Sequence, residues 1–458
     1  MIVLDDTIAA VSTPPGESGI GIVRLSGKGA VEIAGRLFRS PKGKDLVEVP
    51  SHTIHYGYIV SPDGSDIMDE VLLSVMKAPH TFTREDVVEI NCHGGILPIR
   101  RVLEAVIGEG ARLAGPGEFT LRAFMNGRID LSQAEATIDL IRAKTEQSGR
   151  IALEQLSGGL SKRITGFREI LADTSARIEA YIDFPEEDLE LSGEAGILES
   201  VDYLIRELER LSKSYEGGRF FREGVSVAIV GRPNVGKSSL LNAMMESDRA
   251  IVTDVPGTTR DIIEEYINLN GIPLRIMDTA GIREARNLAE SEGVRRSLRA
   301  IEGADIVLTL FDSSRPLSEE DRHVMERVRG KKCILVLNKS DLVAELNEAE
   351  LPDEVPRVGI SAKTLDGLES LKAEIERTLL REVCLSEGVV ITNLRHRIAI
   401  DRACDALRRG MDAITSRKPY EIIALELRDA LDGLGEIVGS VTTEDILNRI
   451  FAEFCIGK

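Results

Sequence analysis

The sequence predicts a multidomain protein with an α+β region at its amino end, two helical regions, and an α/β nucleotide-binding region between them. Over about the first 130 residues, short apolar runs separated by turn residues alternate with two helical patterns. Apolar residues then recur at helical spacing on both sides of a further region. In that region a buried strand, a glycine-rich turn and a helix follow one another, which is typical of α/β proteins that bind phosphate.

The composition and charge of the chain exclude some classes of protein. With 458 residues the chain is long enough for two to four domains, and 43% apolar residues suffice for packed cores. A net charge of −19 argues against a protein that coats nucleic acid, because neutralising phosphates requires a basic surface. Any nucleic-acid contact therefore has to be local.

Cysteine usage and hydropathy indicate the compartment. The five cysteines form no C-x-x-C pair, which disfavours a disulfide framework or a zinc ribbon and fits a reducing compartment. The first residues do not read as a leader, and no run approaches membrane-spanning length. We therefore expect a cytoplasmic protein without membrane contact. The cysteines are Cys92, Cys333, Cys384, Cys404 and Cys455.

The amino-terminal region is predicted to be an α+β domain. Its apolar runs are bounded by turn signals such as Pro14-Pro15-Gly16. The predicted strands are Thr7 to Ser12, Gly19 to Leu25, Val71 to Met76 and Asp86 to Cys92, and the predicted helices are Ala30 to Phe38 and Ile96 to Ile107.

Three charged residues of this region have open interpretations. Arg24 ends a strand, Glu89 lies within an apolar strand, and Arg128 follows a turn-like pair. A surface charge or a structural ion pair is the commoner role for such residues. Glu89 is the exception, because a carboxylate among apolar neighbours is rarely buried without a partner. The adjacent Cys92 and His93 have no complementary cluster, so we interpret both as structural.

The helical regions flank the nucleotide-binding region. Ser132 to Glu135 has the spacing of a capping box, which predicts a helix start there. Apolar residues from Leu153 to Ile178, at alternating three- and four-residue steps, predict one long packed helix. A further amphipathic helix is predicted from about Gly196 to Tyr215, and Gly217-Gly218 is predicted to be a boundary.

Helical periodicity returns near the carboxyl end, from Leu394 to Ile414, from Ile423 to Val438, and after the predicted cap Thr443. The window Arg395 to Arg409 is locally basic, which we interpret as a solvated helix face, with an RNA contact as the less favoured alternative. No structural role for the final segment, Phe454 to Lys458, follows from its sequence.

A phosphate-binding loop is predicted at Gly231-Arg232-Pro233-Asn234-Val235-Gly236-Lys237-Ser238-Ser239. It follows the apolar strand Val225 to Val230 and precedes a helix that includes Leu240 to Met244. The glycines let backbone N–H groups surround a phosphate, Lys237 reaches its oxygens, and the Ser238 hydroxyl can ligate Mg²⁺. A glycine-rich turn without a ligand is the alternative, and the flanking strand and helix disfavour it.

Two further motifs predict sensing of the γ-phosphate. Ile251 to Asp261 has the composition of a switch loop, in which a threonine can reach Mg²⁺. The predicted strand Leu274 to Met277 ends in Asp278-Thr279-Ala280-Gly281, which supplies an acid toward Mg²⁺ and an N–H toward the γ-phosphate.

Two more motifs predict that the base is guanine. The strand Cys333 to Leu337 ends in Asn338-Lys339-Ser340-Asp341, and the Asp341 carboxylate can accept from two guanine donors that adenine does not present. Ser361-Ala362-Lys363 follows the predicted strand Arg357 to Ile360 and can close the base pocket. Five motifs in this order, each at a strand end, predict a GTP site.

The sequence departs from Ras-like enzymes at two positions. Where those enzymes carry a water-positioning glutamine, this chain has Ile282, whose apolar side chain cannot orient water. Asn234 adds a side-chain carbonyl to the phosphate loop. From spacing alone, a ligand role and a turn-stabilising role are equally supported for Asn234.

Several segments together resemble the MnmE (TrmE) family of tRNA-modification GTPases, over essentially the whole chain. They are Gly231 to Ser238, Gly257 to Asp261, Asp278 to Glu284, Pro116 to Thr120 and Cys455 to Lys458. The nucleotide-binding part also resembles the translation-factor-like branch of the GTPases, which implies a doubly wound sheet with its ligand at the carboxyl ends of the strands.

The resemblance implies a domain organisation and an activity. Residues 1–118 would be a folate-binding, dimerising domain, and 119–220 with 384–458 a helical domain into which the G domain, 221–383, is inserted. With the flavoprotein MnmG, a homodimer would modify position 5 of wobble uridine in tRNA. K⁺ and Mg²⁺ would serve GTP hydrolysis, and a 5-formyltetrahydrofolate-type reduced folate would bind.

The resemblance also implies roles for individual residues. Lys237 and Glu290 would be catalytic, Glu290 by orienting water indirectly, and Cys455 is a candidate for the chemistry. Folate would contact Arg24, Glu89, Arg128 and Lys458; K⁺ would bind Asn234, Thr253, Val255 and Thr258; Mg²⁺ would bind Ser238 and Thr259. GTP would be bound by Asn234, Val235, Gly236, Lys237, Ser238, Ser239, Thr253, Asp254, Val255, Pro256, Gly257, Thr258, Thr259, Asp278, Thr279, Ala280, Gly281, Asn338, Lys339, Asp341, Ser361, Ala362 and Lys363.

Two other functions compete with this interpretation. A ribosome-assembly GTPase would act as a binding switch without modification chemistry. Such proteins typically add an RNA-binding domain after the G domain, and the residues after 384 show no G-x-x-G loop between β and α patterns. A purely structural dimer scaffold does not explain five intact nucleotide motifs.

Overall fold

The computed structural model describes residues 5–183, 192–247, 251–252, 265–277, 299–380 and 388–458. These residues form two compact units. Unit one contains the described residues of 1–138 and 435–458, and unit two contains those of 139–254 and 262–434. An antiparallel sheet with helices, a helical part and a mainly parallel sheet are all present, which confirms the predicted fold class.

Unit one is built on a seven-stranded sheet in the order β3-β4-β5-β6-β2-β1-β7, antiparallel except for the β1–β7 pair. The strands are β1 Ile8–Val11, β2 Ser18–Ser26, β3 Phe38–Arg39, β4 Thr53–Val60, β5 Ile67–Met76, β6 Val87–Gly94 and β7 Arg112–Leu113. The helices are α1 Ala30–Leu37, α2 Ile96–Gly108, α3 Glu118–Met125 and α4 Leu131–Arg142.

Two apolar clusters position the helices of unit one. Residues of α1 and α2 pack with the sheet in one core, as alternation along the strands requires. Residues of α3 and α4, among them Ala123 and Leu131, pack with Leu447 and Phe451 near the carboxyl end. The carboxyl-terminal helix is thereby part of the amino-terminal unit.

The start of α4 differs from the predicted capping box. The cap is Asp130, because its Oδ1 accepts from the Gln133 N–H at 2.9 Å while Gln133 Oε1 accepts from the Asp130 N–H at 3.0 Å. Ser132 lies inside the helix and donates its hydroxyl to Asp130. The reciprocal pair is two residues earlier than predicted, since an aspartate and a glutamine satisfy the free N–H groups as well as serine and glutamate do.

The helical part of unit two begins with α5 Glu146–Leu156, α6 Gly159–Asp183, α7 Ser192–Lys213 and α8 Tyr215–Glu223. The single helix predicted from Leu153 to Ile178 is wrong, because the chain turns at Gly158, whose φ is +89°. Gly217-Gly218 is not a boundary but lies within α8. A Cβ on Gly218 would lie 2.0 Å from the Ile391 carbonyl oxygen, so glycine allows a close approach there.

The nucleotide-binding part of unit two is a sheet in the order β14-β13-β12-β8-β11-β10-β9. Its strands are β8 Val225–Val230, β9 Ile251–Val252, β10 Glu265–Leu269, β11 Ile272–Ile276, β12 Ile306–Asp312, β13 Cys333–Asn338 and β14 Arg357–Gly359. Its helices are α9 Lys237–Ser247, α10 Glu319–Val328 and α11 Leu368–Leu380. The five strands from β14 to β11 are parallel, and β10 is antiparallel to both neighbours.

Three helices follow the nucleotide-binding part: α12 Leu394–Thr415, α13 Tyr420–Val438 and α14 Glu444–Ala452. α12 packs along α7, and Thr443 caps α14 by accepting from the Ile446 N–H, as predicted. Among the described helices of the chain, none is both long and apolar enough to span a bilayer.

Candidate functional site

The predicted phosphate loop joins the buried strand β8 to helix α9. Its backbone requires glycine at two positions, because φ is +153° at Gly231 and +102° at Gly236. A Cβ on Gly231 would lie 2.6 Å from the Leu310 carbonyl oxygen, and one on Gly236 would lie 2.2 Å from Asn338 Nδ2. Asn234 also has a positive φ, +63°, which asparagine tolerates better than most residues.

The side chain of Lys237 points into this loop. Its Nζ donates to the carbonyl oxygens of Gly231 at 2.8 Å and Arg232 at 2.9 Å. Burial lowers the pKa of Lys237, because desolvation disfavours its charged form. A phosphate at the loop would offset that cost, so the geometry fits an anion. Ser238 and Ser239, in the exposed first turn of α9, lie at the end of the helix that favours anions.

Asn338, the last residue of β13, connects three of the predicted motifs. Its Nδ2 donates to the Val235 carbonyl oxygen at 2.7 Å, and its Oδ1 accepts from the Ala362 N–H at 3.0 Å. Because Asn338 is buried and both ends of its amide are engaged, it holds the phosphate loop and the base motifs at fixed separation.

Asp341, the residue predicted to recognise guanine, is exposed and has a fixed orientation. The hydroxyl of the buried Ser361 donates to its Oδ1 at 2.8 Å. The Ser361 hydroxyl also accepts from the Thr364 N–H at 3.2 Å, and the Ser361 N–H donates to the Asp366 carbonyl oxygen at 2.9 Å. Lys363, two residues after Ser361, is exposed. The structure therefore brings the fourth and fifth motifs together, as their order along the sheet predicted.

Asp312, which the sequence pattern did not single out, lies against the same motif. It ends β12 opposite Asn338, and its Oδ2 lies 2.6 Å from Lys339 Nζ. Burial alone would raise the pKa of Asp312, but hydrogen bonds from Lys339 and Ser314 hold it below its ordinary value. A signal was available in the sequence, since Asp312 directly follows the apolar run Ile306 to Phe311, as a strand-ending acid would.

The remaining nucleotide predictions fall outside the described residues. They concern the switch loop, the Asp278 to Gly281 motif, Ile282 and Glu290. The K⁺ and Mg²⁺ positions within them therefore stay predictions. The residues concerned are Thr253, Asp254, Val255, Pro256, Gly257, Thr258, Thr259, Asp278, Thr279, Ala280, Gly281, Ile282 and Glu290.

A second polar site lies in unit one, where Arg24 on β2 faces Glu89 on β6. Arg24 Nε donates to Glu89 Oε1 at 2.8 Å, and a terminal nitrogen of the same guanidinium lies 2.7 Å from that oxygen. The partner that a carboxylate in an apolar strand requires is therefore Arg24. Each side chain remains about a quarter exposed, 22% and 24%, so the pair is open to a ligand.

The carboxyl-terminal segment docks beside this pair. The Gly457 carbonyl oxygen accepts from Arg24 Nη1 at 3.2 Å and from the Ser12 hydroxyl at 3.3 Å, and the Lys458 carbonyl oxygen accepts from the Phe119 N–H at 3.2 Å. Gly457 has a φ of +95°. The final residues, for which residue pattern alone indicated no structural role, thus form part of the Arg24 site.

Cys455, the candidate for the chemistry, and Arg128, a predicted folate contact, have different surroundings. Cys455 is exposed, while its carbonyl oxygen accepts from the Gly117 N–H at 3.4 Å. Arg128 is exposed as well, donates to the Thr81 carbonyl oxygen at 3.1 Å, and stacks over the Phe82 ring. Arg128 is therefore held by another part of unit one than the strands that carry Arg24 and Glu89.

The structure agrees with a structural role for Cys92 and His93. Burial raises the pKa of the Cys92 thiol to about 11, and its Sγ lies 3.2 Å from the Gly21 carbonyl oxygen. A thiol of that pKa is protonated at neutral pH and is a poor nucleophile. His93 lies 2.6 Å from Asp69, whose hydrogen bond raises the pKa of the imidazole.

The basic window of α12 is offset by neighbouring acids. Arg402 pairs with Asp429 at 2.9 Å, and Arg408 pairs with Glu209 at 2.6 Å. Arg409 contacts Glu426 and Asp429 on α13. A half-exposed face whose charges are compensated in this way fits the solvated-face interpretation better than an RNA contact.

Comparison with known families decides between the competing functions. The family described as "MnmE helical domain" matches residues 131–455, and the family described as "GTP-binding protein TrmE N-terminus" matches residues 7–128. The chain belongs to the MnmE (TrmE) family of tRNA modification GTPases.

Curated relatives of the MnmE family align with nearly the whole chain. The protein named "tRNA modification GTPase MnmE" of Thermoanaerobacter pseudethanolicus is 49% identical over 457 residues, which is 99% of this chain and 99% of that protein. The protein of the same name from Acetivibrio thermocellus is 48% identical over 458 residues, which is 99% of this chain and 99% of that protein. The one from Enterococcus faecalis is 46% identical over 458 residues, which is 99% of this chain and 98% of that protein. The chain is therefore a GTP hydrolase that acts in tRNA modification.

Proposed function

We propose that this chain is a K⁺-activated GTPase that, with a flavin-containing MnmG partner, modifies position 5 of the wobble uridine (U34) of tRNA, using a reduced-folate one-carbon donor. The observation that supports it most directly is the Asn338-centred arrangement of phosphate and base motifs in a chain of the MnmE family.

Guanine is recognised by Asp341. Its carboxylate accepts from the N1–H and exocyclic amine of the base, while the Ser361 hydroxyl holds it in one orientation. Asn338 and Ala362 fix the neighbouring backbone, and Lys339 and Lys363 complete the pocket. A preoriented acceptor lowers the entropy cost of binding, which favours selectivity for guanine.

The phosphates bind at the loop from Asn234 to Ser239. Lys237 supplies a charge to the β/γ oxygens, the loop N–H groups donate to them, and Ser238 with Thr259 would hold Mg²⁺. The exposed hydroxyl of Ser238 at the start of α9 fits a hard cation, which prefers oxygen ligands. Such a cation would neutralise charge that develops on the transferred phosphoryl group.

K⁺ would be held by Asn234, Thr253, Val255 and Thr258. The position of Asn234 supports this, because the residue is exposed in the phosphate loop and has an amide oxygen that can ligate a cation. A monovalent cation there offsets negative charge in the transition state. Glu290 would orient the attacking water indirectly, since Ile282 occupies the position of the usual glutamine.

The folate would bind at Arg24, Glu89, Arg128 and Lys458. Arg24 and Glu89 offer a donor and an acceptor that are each partly exposed, which fits a heterocycle with both kinds of group. Cys455 lies exposed on the same terminal segment and is our candidate for a role in the chemistry. Docking of this segment against Ser12 and Phe119 would keep it near the ligand.

We further propose the domain limits implied by the family: a folate-binding and dimerising domain, 1–118; a helical domain, 119–220 with 384–458; and a G domain, 221–383. The protein would act as a homodimer with MnmG. Because tRNA is its substrate, we propose the cytoplasm as its location.

Hydrolysis in K⁺ and Na⁺ tests the cation assignment. We expect single-turnover GTP hydrolysis to be much faster in K⁺, and Asn234→Ala to abolish the difference. Asn270→Ala is the matched control, because Asn270 also has a positive φ, +47°, and lies in the turn between β10 and β11. Equal rates in the two salts would remove the K⁺ claim.

Substitution of Glu290 tests the water-orienting role. Glu290→Ala should lower the hydrolysis rate by about 10²–10⁴-fold with little change in GTP affinity, because the residue acts mainly in the transition state. Glu292→Ala, two residues away, is the control. A rate within about threefold of the unsubstituted protein is too small a change for a catalytic group and would assign the role elsewhere.

Folate binding and modification together separate this proposal from a ribosome-assembly switch. The purified protein should bind a reduced folate, and Glu89→Gln should weaken binding while Glu109→Gln, which alters a different ion pair, should not. With tRNA, GTP and the flavoprotein present, U34 should acquire a one-carbon-derived substituent. Folate-independent ribosome binding with unmodified U34 would favour the switch.

A further inference from the structure

We propose that Asp312 is a positioning residue for guanine recognition, which acts by holding Lys339 in place. This inference deepens the proposed function, because it rests on the assignment of Asn338, Lys339 and Asp341 to the base.

The ion pair of Asp312 and Lys339 is buried on one side. Asp312 is 3% exposed and Lys339 31%, and their charged atoms lie 2.6 Å apart. The other carboxylate oxygen accepts from the N–H and hydroxyl of Ser314, at 3.1 and 2.6 Å. Both oxygens are therefore engaged, as a buried carboxylate requires. The pKa of Asp312 is held below its ordinary value, so the group is charged at neutral pH.

The backbone of Lys339 supports the same role. Its φ is +70°, a conformation that lysine rarely adopts and that surrounding contacts have to maintain. The next residue of the β12 end supplies some of them, since the N–H and hydroxyl of Ser313 both donate to the Asn338 carbonyl oxygen, at 2.9 and 2.6 Å. The segment from Asp312 to Ser314 thus fixes both the side chain of Lys339 and the peptide before it.

Fixing Lys339 has a consequence for binding. A free lysine has several rotatable bonds that lose entropy when a ligand orders them. Because Asp312 orders the side chain beforehand, the ligand meets a preformed wall between Asn338 and Asp341. Asp312 itself lies behind Lys339, nearly inaccessible, so it acts through the lysine and not by touching the base.

Binding of GTP and GDP to Asp312→Asn tests the inference. A charge-assisted hydrogen bond lost from a buried group predicts affinity weaker by about tenfold or more, with the hydrolysis rate at saturating GTP within about threefold. Asp305→Asn is the matched control. Asp305 precedes the same strand at its opposite end, pairs with Arg219 at 2.9 Å and accepts from the Ser226 N–H, so it reports loss of an ion-paired acid away from the nucleotide.

A double-substitution cycle with Lys339→Met supplies the second measurement. If Asp312 acts through Lys339, Asp312→Asn should change GTP affinity little in the Lys339→Met background. The inference would be overturned if GTP affinity were unchanged in Asp312→Asn or were weakened equally in Asp305→Asn. It would also be overturned if the effects of Asp312→Asn and Lys339→Met on GTP affinity were additive. Failure of the guanine site itself is seen separately, because Asp341→Asn would then keep full preference for GTP over xanthosine triphosphate.

Discussion

The docking of the carboxyl-terminal segment requires glycine at position 457. Its φ is +95°, and a Cβ placed on it would lie 2.2 Å from the Val11 carbonyl oxygen. Because the clash is with a backbone atom, relieving it would require the backbone of β1 or of the tail to move, which costs more free energy than rotating a side chain. We therefore expect Gly457→Ala to lift the tail from the Arg24 site while the rest of unit one remains folded.

The size of the effect follows from the contacts that are lost. The tail would lose three hydrogen bonds from uncharged donors, which are the Ser12 hydroxyl and the N–H groups of Gly117 and Phe119, each worth about 0.5–1.5 kcal/mol, and one from the charged Arg24, worth about 1.5–3 kcal/mol. A left-handed alanine adds about 1–2 kcal/mol. Even with water replacing some partners, about 3 kcal/mol remains, which shifts the docking equilibrium about a hundredfold.

Hydrogen exchange measures this equilibrium directly. The N–H groups of Gly117 and Phe119 donate to tail carbonyl oxygens, so their exchange should accelerate in Gly457→Ala. Gly110→Ala is the matched control, because its φ is similar, +111°, and its Cβ would meet nothing within 4 Å. Unaltered protection of Gly117 and Phe119 in Gly457→Ala would refute the docking argument.

Three further outcomes are expected. Gly236→Ala should lower GTP affinity by about a hundredfold in equilibrium binding, because its Cβ would lie 2.2 Å from Asn338 Nδ2 and force apart the phosphate and base motifs. Arg122→Met should cost about 3–5 kcal/mol in urea unfolding, because it takes a fully buried charged partner from Asp6, Glu85 and Glu118, whereas the half-exposed Arg408→Met should cost at most about 1 kcal/mol. Burial alone would raise the pKa of Glu118, but hydrogen bonds from two arginines and a backbone amide hold it below the ordinary 4.5. The free energy of unfolding that Glu118 contributes is therefore complete above pH 4.5 and is lost as the pH falls below that value. Glu118→Gln should make the free energy of unfolding fall less steeply at acid pH.

The parts of the fold that could be predicted are those encoded by local pattern. The strands β8 and β13, which lead into the phosphate loop and Asn338, are fully buried. Their apolar runs predicted both ends of each strand to within one residue. The cap at Thr443 and helices α1 and α2 were likewise correct, because spacing and capping act within one helical turn.

Other parts escaped prediction for identifiable reasons. The strand β4 was missed because its exposed face carries Ile54 and Tyr56 and its buried face includes Gly57. Its sequence therefore lacks the alternation of apolar and polar residues that predicts a half-buried strand. The break at Gly158 was missed because the apolar residues before and after it keep the three- and four-residue steps of a single helix. Such spacing does not reveal that the backbone turns between them. Contacts of the tail join residues 445 positions apart, which no local pattern can reveal.

The contacts of Asn338 bear on how the nucleotide site can respond to its ligand. Asn338 ties the phosphate loop at Val235 to the base pocket at Ala362, and Gly236 lies so close to its side chain that an added Cβ would be 2.2 Å from Asn338 Nδ2. Such a joined pair binds the parts shared by GTP and GDP and gives little means of telling them apart. We therefore infer that the response to the γ-phosphate belongs to the predicted switch residues Thr253 to Thr259 and to the Asp278 motif. On this reasoning, substitutions at Asn338 weaken both nucleotides about equally, whereas Thr259→Ala weakens GTP more than GDP in parallel titrations.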